Sequence, residues 1–585
     1  MYFCHNYDFK REFLMKKNWV IKEQGNYDEA CKLQGLLGVD YPIANLLVQR
    51  GIKTFEQARD FFRPQLENLH DPFLMKDMDK AVERIQKSIQ SGEKVLIYGD
   101  YDVDGTTAVA LVYSYFKTYF QEIDYYIPNR YSEGYGISYQ GIDFAAENRF
   151  RLVIALDCGI KSIEKTQYAG TKGVDLIICD HHNPGEIIPN AVAVLDPKQP
   201  DCNYPYKDLS GCGVGFKLIQ AFQSRMGLPF DDLKKYLDLV AVSIASDIVP
   251  ITGENRILTF FGLIKLNENP SMGLQTIMNL SGIPNKSVSV EDIVFKIGPR
   301  INAAGRMESG KKSVDLLIAE DEKTAFPIGE KIKVFNTNRR DIDSSITQEA
   351  LTMIQMDENL KNRKSTVLFN PNWHKGVIGI VASRLTDHYY RPTVILTRSN
   401  GFATGSARSV NGFDLYKAIE ECSDLLENFG GHKYAAGLTM KLNNVNSFQE
   451  RFEKVVKETI HPDQLIPVVE IDSELQFADI SDKLYRVLKQ FQPFGPENLA
   501  PVFLTESVSD NGDGKPVGMN ADHLKLSLVH EADPYKVFQA IAFQQGKMFS
   551  SIKGGIGFDI CYSLEENLFR GESTLQLNVK DIKID

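Results

Sequence analysis

The chain has 585 residues, 43% hydrophobic and 24% charged, a globular balance several times longer than one hydrophobic core supports, so three or four domains are expected. Its 66 basic and 77 acidic residues leave a formal charge of −11, which excludes a protein that coats duplex nucleic acid over its whole surface while leaving room for a local basic groove. No apolar stretch reaches the ~18–20 residues that cross a bilayer, the N-terminal stretch is interrupted by Asp8, Lys10, Arg11 and Glu12, and the eight cysteines form no CxxC pair. The expectation is a cytoplasmic protein with no membrane partner, no disulfide framework and no structural zinc.

In chain order, an N-terminal extension over 1–70 is expected to pack on the core. Four apolar runs then each end at an acid: Val95–Tyr98 before Gly99 and Asp100, Leu152–Leu156 before Asp157, Leu176–Cys179 before Asp180, and Val192–Leu195 before Asp196. Such runs predict buried strands of a parallel sheet. Helical stretches near Thr106 and over Lys161–Tyr168 alternate with them, so an α/β, doubly wound parallel-sheet domain is expected over 71–255, with its ligand site outside the carboxyl ends of the strands. An acid after a strand can equally cap a turn; four in succession favour a shared site. Gly211-Cys-Gly-Val-Gly opens a helix through Arg225, and the apolar run Leu233–Ser246 closes on Asp247. Helical composition over 256–280 and 313–360 predicts a helical connector spanning 256–360. A second α/β domain is expected over 361–462, with strands at Thr366–Phe369 and Thr393–Leu396. Pro462 and Pro467 mark a linker, and short alternating strands at Leu524–Val529, Val537–Ala542 and Leu575–Val579 predict an OB-like β-barrel over 463–585.

The chemistry concentrates at Tyr98-Gly-Asp100-Tyr-Asp102-Val-Asp104-Gly105. Acids at alternate positions of an extended segment point the same way, which brings three carboxylates to the mouth of a strand. Their mutual repulsion calls for a cation, and Gly105 with the two threonines starts a helix whose N-terminus can face an anion. Asp180-His181-His182 adds two imidazoles and a carboxylate at another strand end. With Asp157 and Asp247 the set is rich in oxygen and free of thiolate, which suits Mn²⁺ or Mg²⁺. Two such ions roughly 3.5–4 Å apart would activate a water and stabilise the leaving oxygen of a phosphoester. Elsewhere charge turns basic: residues 361–441 hold eleven Lys and Arg against six Asp and Glu, and Lys296, Arg300, Arg306, Lys311 and Lys312 cluster around one acid, Glu308. Arg130, Arg300, Arg408 and Ser409 are candidate anion ligands, and Tyr101, Tyr131 and Tyr135 are candidate platforms for unstacked bases.

These segments carry a family resemblance. YGDYDVDGTTA at 98–108, IPNRYSEGYG at 127–136, LDCG at 156–159, DHH at 180–182, ASDIVP at 245–250, GPRINAAGRM at 298–307, HKGVIGIVASRL at 374–385, GGHKYAAG at 430–437 and FGPENLAPVF at 494–503 resemble the DHH phosphoesterases, and within them the RecJ-like branch, over nearly the whole chain. The resemblance implies two divalent metal ions held by Asp102, Asp104, Asp157, His181 and Asp247, with His182, Asp100 and Asp180 as catalytic partners. It also implies a substrate-phosphate loop at Gly430, Gly431, His432 and Lys433. Several relatives place a His where this chain has Tyr98, so the first ion would rely on Asp100 or water.

The implied activity is a metal-dependent exonuclease that degrades single-stranded DNA from 5′ to 3′ into mononucleotides in DNA repair and recombination. Single-stranded DNA is the partner, a single-strand-binding protein and a recombination helicase are further partners by resemblance, and the chain is a monomer. Two other readings stay open at this point. One is a DHH phosphodiesterase for short oligonucleotides or cyclic dinucleotides; the other is a catalytically inactive DNA-binding scaffold.

Overall fold

The computed structural model describes residues 15–283, 287–569 and 572–584. The chain divides into two compact units. Asp60–Arg340 with Gln492–Leu499 form one, and the rest of the chain forms the other.

The first strand, β1 (Asn18–Ile21), belongs to the second of these units. The first unit is built on β2 (Lys94–Gly99), β3 (Ile123–Tyr126), β4 (Phe150–Leu156), β5 (Asp175–Cys179) and β6 (Ala193–Leu195), all parallel in the order β3-β2-β4-β5-β6. Alternate residues face opposite layers. Val95, Ile97, Ile154, Leu156 and Ile177 enter one apolar cluster, while Leu96, Tyr98, Val153, Ala155 and Leu176 enter another. Burial on both faces, at roughly 1.5–3 kcal/mol per fully buried aliphatic side chain, is what an unbroken apolar run provides. The edge strand β3 escapes the sequence reading because it is only four residues long and reads Ile-Asp-Tyr-Tyr. The register is decisive for function. Gly99 pairs with Leu156, Leu156 with Cys179 and Cys179 with Leu195, so the next residues, Asp100, Asp157, Asp180 and Asp196, stand in one row at the carboxyl edge of the sheet.

Helices complete this unit. Val103–Phe116 is capped by the Asp102 side chain, which accepts from the Gly105 amide, a cap worth ~1 kcal/mol. Gly211–Arg225 and Leu237–Asp247 pack against it, and the latter ends on Ile248 at φ 61°, a left-handed conformation that a β-branched side chain adopts only under constraint. The connector holds Gly253–Glu268, Met272–Leu280, Gly298–Met307 and Lys311–Leu317, followed by the 35-residue helix Glu322–Met356, within which the boundary between units falls. The helical stretch expected from 313 therefore begins as a separate short helix.

The second unit contains a mixed sheet of β7 (Thr366–Phe369), β8 (Thr393–Ser399), β9 (Phe402–Arg408), β10 (Asn428–His432) and β11 (Ala435–Lys441) in the order β10-β11-β9-β8-β7. Only β7 and β8 run parallel. It also contains the barrel. After β12 (Val468–Ile471) and β13 (Ser473–Glu474) come β14 (Phe503–Asp510), β15 (Lys515–Val517), β16 (His523–His530), β17 (Asp533–Ala542), β18 (Phe558–Phe569) and β19 (Glu572–Lys583). Strand β14 pairs with both β18 and β16, so β14-β18-β19-β17-β16 closes on itself, a five-stranded barrel with no free edge in the closed ring. The N-terminal extension divides between the units. Lys217 and Glu254 bond the His70 backbone in the first unit, whereas β1 pairs in parallel with β12 in the second. Among the described residues, no helix is long and apolar enough to cross a membrane.

Candidate active site

Each acid of the row has a different environment. His181 Nε2 lies 3.2 Å from Asp157 Oδ1, 3.5 Å from Asp247 Oδ2 and 3.7 Å from Asp104 Oδ2, so His181 joins ligand atoms from three separate elements. Two groups of candidate metal-binding atoms result: Asp157, His181 and His182, and Asp104, His181 and Asp247. Asp100, Asp104, Asp157, Asp180 and His181 are buried. Both carboxylate oxygens of Asp100, one of Asp157 and both ring nitrogens of His181 are buried without a well-formed hydrogen bond, an arrangement that is costly unless a cation takes their lone pairs. Burial, reinforced by Asp104 and Asp102, pushes the carboxyls of Asp157 and Asp247 well above the ordinary range, and burial with Asp102 does the same at Asp100. Burial, then Asp104, raises Asp102 as well. Burial lowers His181 and keeps its imidazole neutral, the form that ligates metal. The donor set, oxygen-rich with one neutral imidazole, fits Mn²⁺ or Mg²⁺.

Asp180 serves differently. Its Oδ2 accepts from the Ile160 amide at 2.8 Å, and its Oδ1 accepts from the His181 amide at 2.8 Å and from His182 Nδ1 at 2.7 Å. Burial opposes ionisation, but these donors win and hold the Asp180 carboxyl at about 2. The bond fixes the proton on His182 Nδ1 and turns Nε2 outward, where the Tyr135 hydroxyl stands 3.2 Å away. The hydrogen bond and charge of Asp180 raise His182 against the effect of burial. Asp104 is anchored by the amides of Gly211 at 2.6 Å and Cys212 at 2.7 Å, the N-terminus of Gly211–Arg225, and by Ser243 Oγ at 2.7 Å. Gly105 has no room for a side chain, since a Cβ there would lie 2.5 Å from the Asp100 carbonyl oxygen. Tyr98 is no part of the metal set. Its ring enters the opposite apolar layer and its hydroxyl donates to the Gly136 carbonyl.

Arg130 lies 4.9 Å over the Tyr101 ring and favours the charged forms of Asp100 and Asp102. Tyr135 meets Tyr101 edge-on, and the Tyr131 hydroxyl donates to the Arg306 carbonyl. Arg300 donates to the Lys296 carbonyl, and its charge is disfavoured by burial and by Arg340 and Arg339. The second unit holds the remaining candidates. Arg408 donates to Ser406 Oγ at 3.0 Å. Ser409 is buried and donates its hydroxyl to the Phe413 carbonyl, so it shapes the backbone. The expected glycine loop is a β-hairpin: Gly430, Gly431 and His432 lie on β10, Lys433 and Tyr434 form the turn, and β11 returns. Gly431, at φ 148°, has its would-be Cβ position 2.3 Å from the Ala435 carbonyl oxygen. Sequence reasoning missed Gly211, Ser243 and the Tyr135–His182 contact, which join residues 47 to 139 positions apart and leave no local pattern. It also left Asp196 without a role. Burial raises that carboxyl to about 7, and one oxygen accepts from the Lys198 amide.

Residues 94–244 match the DHH family, N-terminal domain, residues 362–458 the DHHA1 domain, and residues 471–581 the RecJ OB domain. The single-stranded-DNA-specific exonuclease RecJ of Bacillus subtilis is 35% identical over 571 residues, covering 97% of this chain and 71% of that relative. The chain belongs to the RecJ family. The RecJ of Salmonella typhimurium is 31% identical, covering 93% of this chain and 96% of that one. The crystal structure of RecJ in complex with Mn²⁺ from Thermus thermophilus matches with a TM-score of 0.83 at 25% identity, covering 97% of this chain and 80% of that one. Its counterpart in complex with Mg²⁺ has the same fold, with a TM-score of 0.77 at 24% identity and coverage of 97% and 78%.

Proposed function

We propose that this chain hydrolyses single-stranded DNA from the 5′ end into mononucleotides in DNA repair and recombination. The observation that carries this reading is the buried acid row gathered around a neutral His181, in which both oxygens of Asp100, one of Asp157 and both ring nitrogens of His181 lack a well-formed hydrogen bond. Asp102, Asp104, Asp157, His181 and Asp247 would hold two divalent ions, Mn²⁺ or Mg²⁺, whose charge lowers the pKa of the attacking water and neutralises the leaving oxygen. Asp180 orients His182 so that Nε2 faces the reacting phosphate, where it accepts a proton or, once charged, donates a hydrogen bond to a phosphate oxygen. Arg130 stands over the same edge and balances developing negative charge. In the second unit, Arg408 with its planar fork suits a terminal phosphate, and Lys433 with His432 at the hairpin tip suits the strand backbone. The chain works as a monomer in the cytoplasm, with single-strand-binding protein and a recombination helicase as proposed partners on family grounds.

The test is Mn²⁺-dependent product release from a 5′-labelled single strand and from the matching blunt duplex. Labelled mononucleotide should appear first from the single strand, with the duplex spared, and Asp157→Asn should lose at least ~100-fold in rate because a carboxylate of the metal set is removed. Label release only at the end of digestion, equal attack on duplex, or faster turnover of a cyclic dinucleotide would each overturn the reading.

A further inference from the structure

The segment 128–138 carries Arg130 and Tyr135 to the acid row, yet it has no regular secondary structure. Its conformation is set by a hydrogen-bond assembly, buried at Tyr98 and part-buried at Glu133. The Tyr98 hydroxyl donates to the Gly136 carbonyl at 2.9 Å and accepts from the Ser138 amide at 3.1 Å. The Tyr98 ring is buried and stacks on Tyr126, with centroids 5.4 Å apart and planes 16° from parallel. The Tyr126 hydroxyl donates to Glu133 Oε2 at 3.0 Å, and Ser138 Oγ donates to the same oxygen at 2.6 Å. Glu133 Oε1 accepts from the Asn129 amide at 2.8 Å, while Asn129 Oδ1 accepts from the Tyr131 amide at 2.9 Å. The Glu133 carboxylate, at the middle of the segment, thus ties its Asn129 end to Ser138, the Tyr98 phenol holds the 136–138 end, and Tyr98 itself lies on β2, two residues before Asp100.

We propose that Tyr98, from the strand below, and Glu133, from within, are positioning residues that clamp segment 128–138, so that Arg130 and Tyr135 are already in place when a phosphodiester reaches the acid row. A phenol at position 98 suits this task because it spans from the strand to the overlying backbone and offers a donor and an acceptor at one atom. Binding gains from a segment that needs no ordering when substrate arrives. The inference rests on the exonuclease reading for its substrate, but the clamp is a property of the free protein and is measurable without substrate.

The experiment compares full-length wild type with Tyr98→Phe, which keeps the stacked ring, and with Glu133→Ala, which releases the other attachment. Three readouts are taken: amide hydrogen exchange, the Mn²⁺ dissociation constant by calorimetry, and kcat and KM on a single-stranded oligonucleotide. Both variants should exchange at least ~10-fold faster over 128–138, with β4 unchanged, because a local opening is made easier without loss of the sheet. Mn²⁺ affinity should stay within about twofold, and KM should rise ~10-fold with kcat within about threefold, the signature of lost positioning in binding. Unchanged exchange over 128–138 in both variants would overturn the clamp. So would a Tyr98→Phe variant that loses ~10-fold or more in Mn²⁺ affinity, which would place Tyr98 in the metal set instead. If wild type cleaved no single strand, the exonuclease reading would fail, while the exchange and Mn²⁺ measurements would still decide the clamp.

Discussion

Asp100, Asp157 and Asp247 each bind a proton more readily in the folded protein than an ordinary carboxyl does, because burial and neighbouring acids penalise the anion. The sign of the consequence follows from linkage. A folded-state value raised above the unfolded ~3.9 gives stability that is complete below the unfolded value and is lost as pH rises through the folded one. Asp180 runs the opposite way. Held at about 2, it contributes stability above the ordinary value that is lost only as pH falls toward 2. Metal-stripped protein should therefore lose melting temperature as pH rises above the ordinary carboxyl range, and Mn²⁺ should restore it, most strongly at the alkaline end, where the ion replaces protons already lost. Differential scanning calorimetry with and without chelator reads both effects. A melting temperature that rises with pH in chelator, or that ignores Mn²⁺ at pH 8, would contradict this account of the acids.

At the level of elements, the pairing of β10 with β11 gives the GGHKYAAG segment the shape of a hairpin. The family resemblance implies a substrate-phosphate loop at residues 430–433, and the paired glycines taken alone signal a tight turn. The structure extends it instead, because Ala436, Leu438 and Met440 alternate inward on β11 and β9 supplies the pairing partner. The tip is then Lys433, beside the Tyr434 ring at 5.5 Å. Lys433→Met should weaken single-strand binding and reduce the slope of log affinity against log salt by somewhat less than one phosphate contact, about 0.7. A salt titration by fluorescence anisotropy with an unchanged slope would remove the tip from the binding surface. The row of strand-end acids, by contrast, was legible because a buried parallel strand announces its own end, and four ends in register need no side-chain detail. The anchors of Asp104 were not legible: Gly211 and Ser243 meet it only once two helices have packed. Strand β3 and the separate helix Lys311–Leu317 were lost for a simpler reason, since short elements carry too few periods to stand out.

For the whole molecule, a barrel that only lengthened a binding track would be removable and would leave a slower enzyme. The structure argues otherwise on two counts. Within the second unit, β12 pairs with β1, Trp19 Nε1 donates to Asp581 at 2.8 Å, and Gln24 and Gln49 both donate to the Asp472 carbonyl. Deleting 468–585 would leave β1 as an unpaired edge carrying Trp19, Val20 and Ile21, an aggregation template. Within the first unit, residues Gln492–Leu499, which include the first six residues of the FGPENLAPVF motif, pack beside the segment that follows Asp247. The Ile251 amide donates to the Pro496 carbonyl at 2.9 Å, and Arg256 donates to the Gln492 carbonyl at 2.9 Å. Gly495 has its would-be Cβ position 2.3 Å from the buried Ile251 side chain. The motif therefore supports the chain four residues beyond a metal candidate rather than lengthening a track. Deleting 468–585 should accordingly yield poorly soluble protein that loses hydrolysis of short oligonucleotides as well as long ones. Gly495→Ala separates the two effects, because it leaves the barrel intact and pushes on Ile251. It should cost ~1–3 kcal/mol of stability by overpacking and slow turnover of a short oligonucleotide several-fold, read by calorimetry and by mononucleotide release. Should Gly495→Ala match wild type in both measurements while the truncation stays soluble and active on short strands, the motif would have no hold on the site and the barrel would be a detachable track.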